Sequence, residues 1–478
     1  MSGPNLPGPR LTLYYSCFFL AVVSAGLVWT GTNPGYTNHE LQQHLRATKA
    51  KFIISEPDLY DAMLVATKSC NIPEENLLEF DGLSEKFSPK SWNILLQHGE
   101  QDWVRFDDKS IAQSTPACLL FSSGTTGLPK AAQLSHYNLV VQHTLLQEQV
   151  DKPYRVKRIL CRPFFHAAMV PIGHVTPLRA GHISYVMRRF QVEDFLRYTE
   201  KYEVTELFVV PPIVVSILQS PLVKTYSLRS LRSGMTGGAK LDLLSQKKFS
   251  ALMHPDGAIN PCYGMTEISC IGACYPWPEK DSDGSVGYFL PNLEIKLVDD
   301  NNREIRAYNT PGEIWIRGPT VIKAYLANSE ANVLSFSGDW FHTGDIAYCD
   351  SRTKKWYIVD RKKELIKVRG FQVAPPELEA VLMSHPLISD AGVIGVPAFD
   401  AVDGELPRAY IVPKTGIEGD RLSEDQVKRF VAERLAKYKQ LNGGVVIVEA
   451  LPKTASGKYL KRHLRDLWKR EANTIPKL

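Results

Sequence analysis

The 478-residue sequence has no Cys-x-x-Cys pair, no His/Cys cluster at zinc spacing, no internal repeat and no low-complexity tract. Its eight cysteines lie scattered at positions 17, 70, 118, 161, 262, 270, 274 and 349. That spacing excludes a disulfide framework or a structural zinc site as the organising device, and leaves reduced, buried thiols of an intracellular protein as the expectation. Strong charge of either sign is missing as well. A net charge of +5 over this length is too weak to argue for a nucleic-acid partner. The common phosphate loop, Gly-Lys followed by Ser or Thr, is absent. Lys130 follows Leu128-Pro129, and Ser456-Gly457-Lys458 runs into Tyr459 with Pro452 where the first Gly would stand. One long apolar run occurs, the 19 uncharged residues from Leu11 to Trp29. Its length alone suits a membrane span or a signal sequence. Ser16, Ser24, Gly26 and two tyrosines within it argue otherwise, as does Arg10 as the sole upstream charge. Thr30 to Thr37 after it reads as a turn and helix start, not a basic flank, so a core helix packed on both sides is expected and no membrane span.

What is present describes an ordinary soluble enzyme, 44% hydrophobic and 22% charged, long enough for two or three domains. Strand patterns at Lys51–Ser55, Ala117–Phe121, Arg158–Arg162 and Leu207–Val210 alternate with helical ones such as Ser135–Val150. This predicts an α/β fold of parallel-sheet subdomains. Past Gly284 the alternation at Leu293–Val298 and Glu313–Arg317, with turns between, predicts antiparallel sheet forming a small β-barrel. A small α+β unit follows, with strands at Lys363–Val368, Ala391–Val396, Arg408–Val412 and Val445–Val448, and helices at Pro376–His385 and Ser423–Ala436. The charged Asp360-Arg361-Lys362-Lys363 marks the boundary, giving domains 1–360 and 361–478.

The stretch Phe121 to Lys130, FSSGTTGLPK, follows a buried strand. Glycines let backbone N–H groups approach a ligand, and the hydroxyls and Lys add donors and charge, so the loop is a candidate phosphate cradle. Further stretches join it in order. They are Tyr263-Gly264-Met265-Thr266-Glu267, Phe341-His342-Thr343-Gly344-Asp345, Asp360 to Lys367, Gly370 to Glu379, and Pro452 to Lys458. Taken singly, each is compatible with a turn, a cap or a solvated face. Together, and with Asn33-Pro34-Gly35-Tyr36-Thr37, they resemble the adenylate-forming superfamily of acyl-CoA synthetases, luciferases and peptide-synthetase adenylation domains, most of all its 4-coumarate:CoA ligase branch. The resemblance runs from about Phe19 to Lys461.

That resemblance implies two half-reactions, with ATP, Mg²⁺ and coenzyme A as co-substrates or cofactor. A small-molecule carboxylic acid is first adenylated, and the acyl group is then moved to the coenzyme A thiol. By the same resemblance Ser122, Ser123, Gly124, Thr125, Thr126, Gly127 and Lys130 grip the β- and γ-phosphates, and Gly237, Gly238, Ala239, Tyr263 and Gly264 line the adenine side. Asp345, with Arg361, takes the ribose hydroxyls. Thr266 bonds the α-phosphate and Glu267 is the Mg²⁺ ligand. Lys458 is the catalytic lysine of the first half-reaction and Lys363 the hinge of a mobile C-terminal domain. Gly370 and Phe371 form the coenzyme A face, with Lys367 acting in that second state. His166, Ala167, Met169, Met235, Gly264 and Met265 line the acyl pocket, with His166 also a catalytic candidate; His174 and His182 read as structural. The pocket candidates are mostly apolar, and no Arg or Lys stands out to pair a second carboxylate. This favours an aryl, arylalkanoic or medium-chain acid over a dicarboxylate or an amino acid.

Two departures matter. The family carries several tens of residues before the helix at Leu11, where this sequence has the Pro/Gly-rich Met1 to Arg10. The expectation is retained activity with reduced solubility, an inactive remnant being the alternative. Cys262 also precedes Tyr263 where Gly is common. A stand-alone adenylation enzyme loading a carrier protein is the rival function, and a luciferase-like oxygenase a further one. Pro476-Lys477-Leu478 is one residue from the peroxisomal Ser-Lys-Leu address, against a default of the cytoplasm. Oligomeric state is left open.

Overall fold

The computed structural model describes residues 11–80, 90–122, 130–147, 151–362, 364–368, 371–398, 404–414, 422–435, 437–453 and 459–474. Its centre is a five-stranded all-parallel sheet in the order Ile259–Pro261, Ser233–Thr236, Glu206–Val209, Lys157–Leu160, Ile183–Val186. Parallel sheets are covered on both faces, and their strands read as continuous apolar runs. Leu207 and Val209 accordingly bury among Phe195, Val214, Ile217 and Phe249 from the flanking helices. Pro211-Pro212 stops the central strand and opens the helix Pro211–Gln219, because Pro suits a first helical turn and cannot continue a sheet.

A second, three-stranded sheet pairs Trp29–Thr30 parallel with Pro116–Ser122, which runs antiparallel to Lys130–Ser135. Thr37 caps the helix Asn38–Thr48 in a capping box with Glu40, so the turn and helix start after the apolar run form as the residue pattern predicts. The apolar run itself departs from expectation. It is a helix only over Leu11–Ser24, then a turn and the short strand at Trp29. Nor is it buried all round. Phe19 is sealed in the core and stacks on His174, whereas Cys17 and Ala21 face outward. Among the described residues no helix is long and apolar enough to cross a membrane.

The antiparallel unit past Gly284 is a six-stranded sheet. Among the described residues its pairing does not close into a ring. One edge of the long strand Trp340–Cys349 meets Gly312–Arg317, and its other edge is shared between Phe336–Ser337 and Trp356–Arg361. The C-terminal unit pairs Ile388–Pro397 antiparallel with Glu405–Pro413, and the latter parallel with Val445–Ile447. Helices Pro375–Met383 and Glu424–Ala432 supply Leu378, Leu382, Val427 and Val431 to its core. All eight cysteines are free thiols.

Candidate active site

In open parallel sheets the groove lies beyond the carboxyl ends of the strands, where the chain leaves each strand for a loop. Here four such exits converge. Arg162 and His166 follow Lys157–Leu160, Pro211 follows Glu206–Val209, Gly237-Gly238 follow Ser233–Thr236, and Tyr263 follows Ile259–Pro261. Gly237 and Cys262 are so close that a Cβ on Gly237 would lie 2.8 Å from Cys262 Sγ. Gly238 has φ +86°, a region open to glycine at little cost.

Beyond Tyr263 the chain doubles back. Tyr263 bridges Ala273 through backbone hydrogen bonds, and Cys270 N donates to Met265 O at 3.2 Å. This tight return explains Gly264, where a Cβ would stand 1.8 Å from Cys270 O. Thr266–Ile268 forms a single 3₁₀ turn in which Thr266 and Glu267 are buried. Ser269 and Cys270 follow at φ +62° and +119°, conformations an L-residue holds only under local strain.

Three of the expected nucleotide residues meet directly. The Tyr263 hydroxyl donates to Asp345 Oδ2 at 2.8 Å, and Arg361 Nε lies 2.7 Å from Asp345 Oδ1. The pairing is a consequence of register, since Asp345 and Arg361 stand opposite each other on neighbouring antiparallel strands. Asp345 raises the Arg361 pKa, and burial, then Asp345, pushes the Tyr263 phenol well up, so both stay protonated. Thr343 Oγ1 accepts from Asp345 N, and Glu313 accepts from both Gly344 N and Lys362 Nζ. These bonds fix the turn that presents Asp345.

Glu267 is met by a residue that motif reading missed. The Tyr325 hydroxyl donates to Glu267 Oε1 at 2.8 Å, and the Lys130 ammonium lies 5.2 Å from the Tyr325 ring centre. Glu267 O accepts from Ile322 N, tying the carboxylate's turn to the same segment. Tyr325 sits in no recognisable motif; the bridge between Ala132 and Tyr325, with backbone bonds from Leu326 N to Ala131 O and from Gln133 N to Ala324 O, brings it here.

His166 Nδ1 accepts from Ala168 N at 3.2 Å, which puts the ring hydrogen of the neutral imidazole on Nε2. Burial, and then the nearby Arg162 charge, hold its pKa down at about 4. Met235, beside Phe208 in sheet register, packs against a cluster of Ala168, Ile172, Phe208, Cys262, Cys270 and Ile271. A cavity of about 320 Å³ shares Leu146, Met235 and Cys274 with this cluster. Ala167 and Met265 pack instead against the core around Tyr263 and Ile268. Met169 departs from the acyl-pocket expectation. It is buried with Leu160 and Phe164, because the turn that leads into the helical segment Val170–Val175 aims it back at its own strand. His174, as expected, is structural, bonded to Phe164 O and to Ser16. Arg162, also missed, is buried against Phe208, its guanidinium 4.4 Å from the ring centre.

Where the chain leaves the strand Trp356–Arg361, buried Lys461 lies 3.5 Å from Glu364 and 3.4 Å from Glu379. Asp360 is buried beside them, and burial raises its carboxyl to about 6. Strands Ile366–Val368 and Phe371–Val373 pair as a hairpin that holds Lys367 opposite Gln372. Ser123 to Gly127, Lys363, Gly370 and Lys458 lie outside the described residues.

The comparisons with known proteins agree with this geometry. Residues 12–326 match the AMP-binding enzyme family, and residues 377–458 match the AMP-binding enzyme C-terminal domain. A phenylacetyl-CoA ligase, epaB of Aspergillus niger, is 46% identical over 95% of this chain and 85% of its own length. An acyl-CoA synthetase, ACTT5 of Alternaria alternata, is 46% identical over 95% of this chain and 79% of its own. The crystal structure of ATP-bound MatB from Rhodopseudomonas palustris superposes with a TM-score of 0.84 at 27% identity, covering 96% of this chain and 87% of that one. With both family regions matched in order, and with nearly the whole chain aligned to acyl-CoA ligases, this protein belongs to the AMP-binding enzymes.

Proposed function

We propose that the chain is an ATP-dependent acyl-CoA ligase that activates an aryl, arylalkanoic or medium-chain carboxylic acid as its acyl-adenylate and passes the acyl group to coenzyme A. The observation that carries this reading is the Tyr263–Asp345–Arg361 triad adjoining the Thr266–Glu267 turn, with an apolar cluster on the other side of Cys262. The relatives' names support the coenzyme A acceptor.

Asp345, held by Arg361, accepts from the ribose hydroxyls, and the Tyr263 ring lies along adenine with Gly237, Gly238 and Ala239. Ser122 to Lys130 neutralise the outer phosphates, and Thr266 bonds the α-phosphate. A carboxylate oxygen of the acid attacks the α-phosphorus, and the bond to the β-phosphate breaks to release pyrophosphate. Lys458 supplies the cation where charge gathers. Glu267 suits Mg²⁺: its Oε1 is oriented by Tyr325, and Oε2 accepts no hydrogen bond among the described residues. No group of three or more His, Cys, Asp or Glu side chains stands ready for a metal among those residues, which fits a cation held by one carboxylate and phosphate oxygens. Bound there, Mg²⁺ would neutralise phosphate charge.

The unit after residue 360 then swings about Lys363, exchanging Lys458 for the face of Lys367, Gly370 and Phe371. Coenzyme A sulfur attacks the acyl carbon and the bond to AMP breaks. With its pKa near 4, His166 stays neutral at the pocket mouth and acts by hydrogen bonding rather than as a charged acid. The test is ATP–pyrophosphate exchange by the folded chain across a panel of such acids, followed by thioester formation with coenzyme A. Exchange with some acids and a coenzyme A-dependent thioester are expected. Absence of exchange with every acid would refute the reading.

A further inference from the structure

We infer that Arg162 is a specificity residue that receives a second carboxylate on the acyl tail of the substrate, so that the preferred acid is a diacid. The inference rests on the ligase reading above and names the substrate class of that site.

Arg162 is 7% exposed. Among the described residues its guanidinium makes no ion pair and no hydrogen bond, and Nη1 is wholly buried without a partner. Buried charges are otherwise paired, because desolvating a cation without an anion is costly. The groups around it do not neutralise it. His166 on the same loop is held neutral, and the Cys161, Cys262 and Cys270 thiols are driven up by burial and keep their protons. Among the described residues the compensating contact is the face of Phe208, 4.4 Å from the guanidinium carbon. Stacking on a ring leaves the in-plane N–H fork free, which is the geometry that takes a carboxylate by two parallel hydrogen bonds.

Two other arginines, buried Arg158 and part-buried Arg361, show the contrast in pairing. Arg158, on the preceding strand, also has a partnerless buried Nη1, but its charge is met by the Glu206 carboxylate through Nε and Nη2. Arg361 faces Asp345, with Glu364 and Glu267 also near, on the nucleotide side. Arg162 faces thiols and His166 on the side of the apolar cluster. That position suits the far end of an acid whose reacting carboxylate has gone to the α-phosphate. The cation is therefore placed for the tail and not for the adenylating oxygen.

The test compares exchange with matched pairs, hexanoate against adipate and phenylacetate against 1,3-phenylenediacetate, for wild type, Arg162→Met and Arg162→Lys. Wild type should favour the diacid of each pair by roughly tenfold or more in kcat/KM, the scale of one bidentate ionic contact. Arg162→Met, similar in length and apolar, should reverse the preference through KM for the acid while KM for ATP stays unchanged. Arg162→Lys should keep part of the diacid preference, since the charge survives and the fork does not. A wild-type preference for the monoacids overturns the proposal even if neither variant folds. An equal fall on both acids in Arg162→Met overturns it too, by placing the guanidinium on the reacting carboxylate. Exchange by wild type with no acid at all would overturn the ligase reading itself, and this inference with it.

Discussion

Replacing Tyr325 by Phe removes one oxygen from the molecule and little else. The ring is 4% exposed, set among Leu134, Ile322 and Glu267's own turn, and Phe fills the same space. What disappears is the 2.8 Å bond to Glu267 Oε1. Glu267 is itself 5% exposed, so water does not readily replace the donor. A hydrogen bond to a charged group contributes about 1.5–3 kcal/mol, so the metal-free protein should lose up to about that much stability. The larger effect is on orientation. Removing the partner that aims a metal-binding carboxylate costs about ten- to hundredfold in metal affinity. The Mg²⁺ concentration that half-saturates ATP–pyrophosphate exchange should rise by that factor, with the rate largely recovered at high Mg²⁺. Urea unfolding in EDTA and a Mg²⁺ titration of exchange measure the two effects separately. A stability loss with an unmoved Mg²⁺ midpoint would refute the assignment of Glu267 to the metal. No change in either would refute the importance of the hydrogen bond.

Other expectations follow from the same geometry. Asp345→Asn should raise KM for ATP by about tenfold or more, through lost charge-assisted bonds to ribose. It should also destabilise the fold by less than the about 3–5 kcal/mol of a fully buried broken pair, because the Arg361 side chain is 27% exposed; an unchanged KM for ATP would count against the ribose role. Gly264→Ala should abolish exchange and lower the melting temperature, since its Cβ would stand 1.8 Å from Cys270 O and the Thr266–Glu267 turn must shift to admit it; a fully active, fully stable variant would contradict the geometry. Burial alone would raise the Glu206 carboxyl, but Arg158 and Lys152 outweigh it and hold the pKa at about 2 against an ordinary 4.5. Its contribution, about 3 kcal/mol by linkage, is complete above pH 4.5 and lost as pH falls through 2. Urea midpoints between neutral pH and pH 2 should show that acid limb, and Arg158→Met should move it to higher pH and lower the neutral stability; an unshifted limb would remove the ion pair from the account.

The sequence by itself determined the family, the class of fold and most of the strand and helix positions. Those are encoded locally. Pro211-Pro212 stops a strand wherever it stands, Thr37 and Glu40 cap a helix through their own side chains, and Gly238 permits a backbone that few other residues allow. The charged members Asp345 and Arg361 were legible as motif residues, yet their contact depends on strand register across a turn. Tertiary structure alone decided the rest. Tyr325 reaches Glu267 across 58 positions of chain. Met169 turns away from the cluster around Ala168, Phe208 and Met235 because its own loop does. The apolar run at Leu11 is covered where Phe19 meets His174 and Trp29 and where Phe18 meets Phe80 and Trp92, leaving Cys17 and Ala21 outward. Arg162 reads in one dimension as a charge beside a proline. Its lack of a counter-ion appears only when four strand ends are brought together, because whether a charge is paired is a property of the space around it and not of its neighbours in sequence.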